Sequence, residues 1–485
     1  MPARAITFTQ ISFPNTGIIL GTTPIYLDFS ESIGGNQLAI GSQVHYWMEL
    51  HRNALLRQQI ADAKLRVLRF FIRWEASTAG YHGEYGPCQH WDETTKTGTW
   101  DWSLFDSTVT AVYEGGAIPL ICLNIGSGAT FKAPTGMWTD PDIGVPSPES
   151  FSAYCSTVAE HCERNGWNSI IWEIFNEAFV KWNFWPFDSI YTDQNRDKWE
   201  RLTAVFNAGS QAIHEVFPNA KVGETSTQYK GWSEWIAENG IGQDFVGHHM
   251  YACGNAPEEW ASDQALFDRA INGQGVNSGH PELRWVYEDV FNIFAQNGKY
   301  PDYCITETAL NHDWNPQDYR KFSELGAAWY ATELMDYAKR GIGLSIFYNV
   351  ASNEDAGGPV GFGMVELWGD HTPRYPYFVN QLIGNSLDVG DALVHSSSSN
   401  PDILTLAWKH GNEGRILIVQ RAQVSNTLAV DFNGAYEEGG VSIQTIDSAL
   451  EGIQTRNEAD GSNLTIALNG YSVCLVTFPL KLTLV

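Results

Sequence analysis

From about residue 45 the sequence alternates between short apolar runs, which read as strands buried on both faces, and longer stretches of helical periodicity. The runs are Leu65–Trp74, Ile118–Ile125, Ile170–Ala178, Lys221–Thr225, Phe245–Tyr251, Tyr303–Glu307 and Leu344–Asn349. Between them, helices are expected over 51–63, 102–114, 148–165, 199–217, 232–239, 281–297 and 316–340, with 373–383 closing the series. Ser147-Pro148-Glu149 carries both a capping side chain and a proline at the first helical position. Seven strands are read in this way, and one earlier strand near Ile25–Asn36 makes eight. Eight parallel strands with intervening helices close into a (β/α)8 TIM barrel. A doubly wound open sheet is the alternative, but no glycine-rich phosphate loop follows the first strand.

After about residue 385 the texture changes. Ile403–Trp408, Arg415–Gln420, Thr427–Phe432, Val441–Thr445, Leu464–Leu468 and Ser472–Phe478 are short strands separated by Gly, Asn and Asp turns, without helices. That spacing reads as a β-sandwich. The expected organisation is an N-terminal β segment over 1–36, a catalytic barrel over 37–384 and a C-terminal β-sandwich over 385–485. The N-terminal segment can supply a first barrel strand or pair with the sandwich; its pattern does not choose.

A chain of 485 residues with 19 Trp, 20 Tyr and 24 Phe has more flat rings than a core needs, and such rings suit the faces of sugars and other amphipathic ligands. The net charge of −27 excludes a nucleic-acid partner, because no basic surface exists to displace counterions, and it disfavours anionic membranes. No run approaches the roughly 20 apolar residues of a membrane-spanning helix. The start, Met-Pro-Ala-Arg-Ala-Ile-Thr-Phe, lacks a signal-peptide core, so the expectation is an intracellular chain or one whose signal has been removed. The seven cysteines show no metal-ligand spacing and, being odd in number, cannot all pair. Cys155 and Cys162 lie about two helical turns apart, too far to bridge. Cys88 and Cys253 are the remaining loop-to-loop candidate for a disulfide.

Two of the buried strands end in carboxylates. Ile170–Ala178 ends in Asn176 and Glu177, and Tyr303–Glu307 ends in Glu307. In a barrel both lie at the carboxyl-terminal mouth, where chemistry is presented. Adjacent side chains on a strand point to opposite faces, so Asn176 and Glu177 reach one site only if the strand curls as it ends. A pair of carboxyl groups about 5–5.5 Å apart is what hydrolysis of a glycosidic bond with retention requires: one acid/base and one nucleophile. The plainer reading is an Asn that opens a helix beside a solvated Glu.

Trp172-Glu173-Ile174-Phe175-Asn176-Glu177 together with Ile305-Thr306-Glu307 resembles the retaining glycoside hydrolases of clan A, over about residues 25–385. The resemblance implies that Glu177 is the acid/base, Glu307 the nucleophile, and Asn176 the amide that binds the sugar 2-hydroxyl. Arg69, in Arg-Phe-Phe-Ile-Arg-Trp, is similar to the clan's arginine beside the nucleophile; the structural alternative pairs Arg66, Arg69 or Arg73 with an acid such as Glu173. His248-His249-Met250-Tyr251 resembles the clan's His-x-Tyr, which implies a Tyr251 hydrogen bond to Glu307 and a His249 contact to a sugar hydroxyl. Two adjacent histidines also suggest a metal, but no third ligand has a recognisable spacing, so no metal or cofactor is expected. The chain departs from the clan at the end of the eighth strand, where Phe347-Tyr348-Asn349 replaces the usual platform tryptophan. Trp182, Trp185 or Trp368 is the candidate substitute, with packing as the alternative for each. Barrel, sandwich and Asp101-Trp102-Ser103-Leu104-Phe105-Asp106 together are most similar to family 39, and families 5, 30 and 51 share much of the pattern. The function implied is a retaining β-glycoside hydrolase acting on a plant or microbial oligo- or polysaccharide. The alternative is a sugar-binding protein on a glycosidase-like barrel. A metal-dependent hydrolase using His248 or His249 is a further enzyme reading.

Overall fold

Eight parallel strands close into a barrel: β1 (Ala39–Gln43), β2 (Val67–Phe71), β3 (Ile118–Leu123), β4 (Ile171–Ile174), β5 (Lys221–Thr225), β6 (Phe245–Cys253), β7 (Asp302–Asn311) and β8 (Leu344–Phe347). They neighbour one another in chain order, and β8 pairs with β1 through Leu344↔Ala39 and Phe347↔Ser42. The computed structural model describes residues 22–72, 74–75, 84–127, 132–177, 196–225, 230–253, 261–272, 287–311, 318–352, 363–366, 371–449, 452–461 and 463–481.

Of the two places left open for the N-terminal segment, it takes the sandwich and not the first barrel strand counted near Ile25. Thr23–Gly35 belongs to the other sheet, antiparallel to Ala392–Ser398 and parallel to Asn426–Asp431. The true first stave, Ala-Ile-Gly-Ser-Gln, has only Ile40 of the bulky β-branched residues that mark a strand in sequence. It is small because its neighbours are close: a Cβ on Gly41 would lie 2.3 Å from the Val67 carbonyl oxygen.

Inside the barrel, Val67, Leu120, Phe245, Cys304, Leu344 and Ile346 form an apolar plug at the amino-terminal end of the strands. Side chains alternate in and out along a strand, so two residues past Val67 the inward position of β2 is Arg69, and two past Leu120 that of β3 is Cys122. The plug therefore excludes water from below the layer that carries the charged groups.

The second sheet has nine strands in the order 454–458, 441–446, 472–479, 413–420, 403–410, 392–398, 23–35, 426–431, 465–468. It wraps onto itself as a β-sandwich around Leu27, Ile418, Leu428, Ile443, Ile466 and Val476. A separate face of this sheet joins the barrel's own core: Leu406, Trp408, Leu417 and Val473 belong to the cluster that contains Tyr375, Val379 and Leu382 of the closing helix Tyr375–Gly384. Trp408 is fully buried there, and its indole N–H donates to the Ser386 carbonyl at 2.8 Å. Tyr471 donates to Asp263 at 2.9 Å and Tyr375 to the Asp447 carbonyl at 3.0 Å, which pins the two units together. All seven cysteines are buried and outside any disulfide. The Cys88–Cys253 candidate is thus corrected: Cys88 follows β2, Cys253 ends β6, and these staves stand four apart around the barrel.

Candidate active site

Arg69 is the hub of the barrel mouth. Its Nε donates to Glu173 Oε2 at 2.6 Å, Nη1 to Gln43 Oε1 at 2.6 Å and to Glu307 Oε1 at 2.7 Å, and Nη2 to Asn176 Oδ1 at 2.6 Å. The side chains of Arg69 and Glu173 are 0 % exposed and that of Glu307 is 7 % exposed. Arg69 therefore pairs both with the strand-end carboxylate and with the acid inside the strand. Burial works against the guanidinium charge, but Glu173 and then Glu307 hold it protonated more firmly than usual. Arg66 instead pairs with Asp388 outside the barrel, and Arg73 lies outside the described residues.

Asn176 and Glu177 reach the mouth because β4 curls as it ends. Phe175 and Glu177 adopt left-handed backbone conformations, with φ of 68° and 47°, on either side of Asn176. The Phe175 ring stacks on Phe151 at 5.8 Å, and the Asn176 N–H donates to Asn124 Oδ1 at 3.1 Å. With its amide oxygen on Arg69, Asn176 has a fixed orientation, its nitrogen turned away from the guanidinium.

Glu307 reaches the mouth by a different device. The pairing of β6 with β7 shifts between His248↔Ile305 and His249↔Glu307, so β7 carries an extra residue at Thr306. Up to that point Cys304 lies in the plug; beyond it, Glu307 and Ala309 face the mouth and Thr308 faces outward. Thr308 donates to Glu333 Oε2 at 2.7 Å, on the helix Glu324–Arg340, and Tyr337 donates to the same oxygen at 2.9 Å. Burial pushes the Glu333 carboxyl up to about 8. Space for the bulge comes from Gly247: a Cβ there would lie 2.9 Å from Thr306 Oγ1 and 3.2 Å from Glu173 Oε1.

Tyr251 donates to Glu307 Oε2 at 2.7 Å. His249 differs from expectation: its Nδ1 lies 2.7 Å from Glu177 Oε1 and 3.3 Å from Glu307 Oε2, and the ring is 0 % exposed. It stands between the two carboxylates, with no surface for a sugar hydroxyl. His248, on the opposite face of β6, is buried and its imidazole is driven down to about 3 by burial and then by His249. Burial raises the Glu307 carboxyl above its usual range, a shift opposed by His249 and Arg69 and assisted by Glu177. One oxygen of Glu177, one of Glu307 and one nitrogen of His249 all lie within 4.8 Å of one another. Such a trio also has the size to contact a cation, which chain spacing concealed because its members come from three different strands; here Glu307 already carries a positive partner in Arg69.

Trp182, Trp185 and Trp368 lie outside the described residues. At the place of the platform tryptophan stands Tyr348, half-buried, against Tyr251 and Ala309, with its ring 5.8 Å from that of His45 in a T-shaped contact. Gln43, His45 and Glu173 complete the site and were not singled out as functional from the sequence. Gln43 is inconspicuous on a short strand, whereas Glu173 was visible as the one charge inside an apolar run.

No family model matches the chain, and no curated protein matches its sequence. Solved structures do match. A glycoside hydrolase family 39 β-xylosidase from Caulobacter crescentus superposes with a TM-score of 0.64 at 14% identity, over 94% of this chain and 99% of that one. A family 51 α-L-arabinofuranosidase from Thermotoga petrophila gives 0.63 at 12% identity, over 94% and 100%. A family 30 endoxylanase from Clostridium papyrosolvens gives 0.60 at 12% identity, over 94% and 100%. The chain has the barrel-and-sandwich fold of the clan A glycoside hydrolases. The likeness spans both units and the whole length of those enzymes.

Proposed function

We propose that the chain is a retaining β-glycoside hydrolase that cleaves a plant or microbial oligo- or polysaccharide by double displacement. The observation that carries this reading is the proximity of the carboxylates: an oxygen of Glu177 and one of Glu307 lie within 4.8 Å of each other, on the scale of the roughly 5–5.5 Å between the carboxyl groups of retaining enzymes. Glu307, gripped on one oxygen by Arg69 and on the other by Tyr251, is the nucleophile that attacks the anomeric carbon. Glu177 is 24 % exposed, which gives it access to a leaving oxygen and then to water; it donates the proton in the first step and removes one in the second. Asn176 binds the sugar 2-hydroxyl, a contact that strengthens as positive charge develops in the ring. Tyr348, with Trp182, Trp185 or Trp368, supplies the apolar face for the sugar. The xylosidase, arabinofuranosidase and endoxylanase with this fold make pentose-containing substrates the first to try.

The test is a panel of aryl β-glycosides and arabinofuranosides beside xylan, mannan and glucan, with Glu307→Gln as control. Turnover should fall by about 10⁴ or more in that variant while substrate binding persists, since a glutamine cannot form the glycosyl ester. Normal turnover by E307Q would end the assignment, and sugar binding without turnover by the native chain would favour a lectin-like role. The proximity of His249 to both carboxylates motivates a metal-dependent reading as well. Because Arg69 and Tyr251 already occupy Glu307, activity is expected to survive dialysis against EDTA; loss on dialysis and recovery with Zn²⁺ or Mn²⁺ would favour the metal.

A further inference from the structure

One acid in the barrel mouth has no part in the double displacement just described. Glu173 sits inside β4, fully buried, bonded to the Nε edge of Arg69 while Glu307 is bonded to Nη1. One guanidinium thus serves two carboxylates that water does not reach from the plug side. The barrel makes room for this arrangement: Gly247 on β6 leaves open the space beside Glu173 Oε1, and Cys122 on β3, held as a neutral thiol chiefly by burial, presents no competing charge. Arg69 would be oriented toward Glu307 and Asn176 by a neutral acceptor at Nε just as well, so hydrogen bonding alone does not call for an acid at this position.

We propose that Glu173 is a positioning residue for the nucleophile: it fixes the plane of the Arg69 guanidinium and takes a share of its charge, so that Glu307 is restrained without being fully neutralised. A carboxylate that faces an undivided buried cation is stabilised as an anion and is the weaker nucleophile for it. By splitting the cation between two acids, the site keeps Glu307 ionised yet reactive. This rests on the nucleophile assignment for Glu307.

Glu173→Gln separates the two contributions, because the amide oxygen still accepts from Arg69 Nε while the charge is gone. In the full-length protein labelled with ¹³C-glutamate, the Glu307 carboxyl, identified by its absence in E307Q, is titrated by NMR in native and E173Q forms. The midpoint should fall by about one pH unit in E173Q, the scale of one charge removed at short range in a protein of effective dielectric near 20. The acid limb of kcat/KM should move down with it, and kcat/KM at neutral pH should drop about tenfold. A Glu307 midpoint unchanged to within about 0.2 units would overturn the proposal, since a purely structural Glu173 would leave it in place. If E173Q does not fold, isotope-edited infrared spectra of the native protein decide: an ionised Glu173 at neutral pH supports charge sharing, and a protonated one overturns it. The NMR midpoint is read whether or not the chain hydrolyses any glycoside, so failure of the glycosidase assignment is seen separately as an inactive native protein with a normal E173Q shift.

Discussion

Tyr251 and Arg69 grip the two oxygens of Glu307 from different staves, and each favours the ionised carboxyl by donating to it. Burial acts in the other direction and prevails, so the carboxyl titrates above its ordinary 4.5. In its proposed role as nucleophile Glu307 must be ionised, so activity is expected to be lost as pH falls through that raised value. The acid limb of kcat/KM should therefore lie above the range of a solvated glutamate. Tyr251→Phe removes one donor and should move the limb further up, with kcat/KM lowered by about ten- to a hundredfold, the worth of one hydrogen bond to a charged group. A pH–rate series on the two proteins checks both statements. Arg69 itself shows how far residue-level reading went. The sequence offered it as a partner of either the strand-end Glu307 or an acid such as Glu173, and it contacts both carboxylates because its three nitrogens fan out across the barrel axis.

At the level of elements, the two strands that present the carboxylates depart from regular geometry where they do so. β4 ends in left-handed turns at Phe175 and Glu177, and β7 carries the extra residue at Thr306. The curl of β4 was legible, because two neighbouring polar residues had to share one face. The bulge of β7 was not: a lone Glu after an apolar run is compatible with either parity, and only pairing with β6 reveals the added residue. The hairpin formed by Cys88–Asp92 and Thr97–Trp100 and the helix Asp263–Ile271 were missed for a related reason, since both lie in long insertions whose short patterns compete with turns. Behind the bulge, Glu333 stays protonated to about pH 8 while an unfolded glutamate ionises near 4.5, so the unfolded state binds fewer protons across that window. Stability should fall as pH rises from about 4.5 to about 8 and level off above it. Glu333→Gln, which keeps an acceptor for Thr308 and Tyr337, should remove that slope and be the more stable protein at pH 8, by up to a few kcal/mol. Thermal melts of both proteins at pH 5 and pH 8 measure the difference.

For the whole molecule, barrel and sandwich share one continuous core, and Trp408 is at its seam. A sandwich that bound carbohydrate through an exposed aromatic row would have shown this ring to solvent; its burial makes the sandwich a buttress of the closing helix. Trp408→Ala should cost about 3–5 kcal/mol, mainly from the large cavity, since the Ser386 carbonyl keeps its second donor in Arg415 Nη1 at 2.6 Å, with kinetic constants unchanged below the melting transition. Urea unfolding followed by tryptophan fluorescence gives the value. The sandwich also carries a strand from the far end of the chain. Thr23–Gly35 lies in the middle of the sheet, between Ala392–Ser398 and Asn426–Asp431, so residues 385–485 expressed alone would leave two open edges where that strand belongs. On the ribosome the strand 23–35 is made before the entire barrel and its two partners, 392–398 and 426–431, after it, so that strand takes its place in the fold only once the barrel has been synthesised.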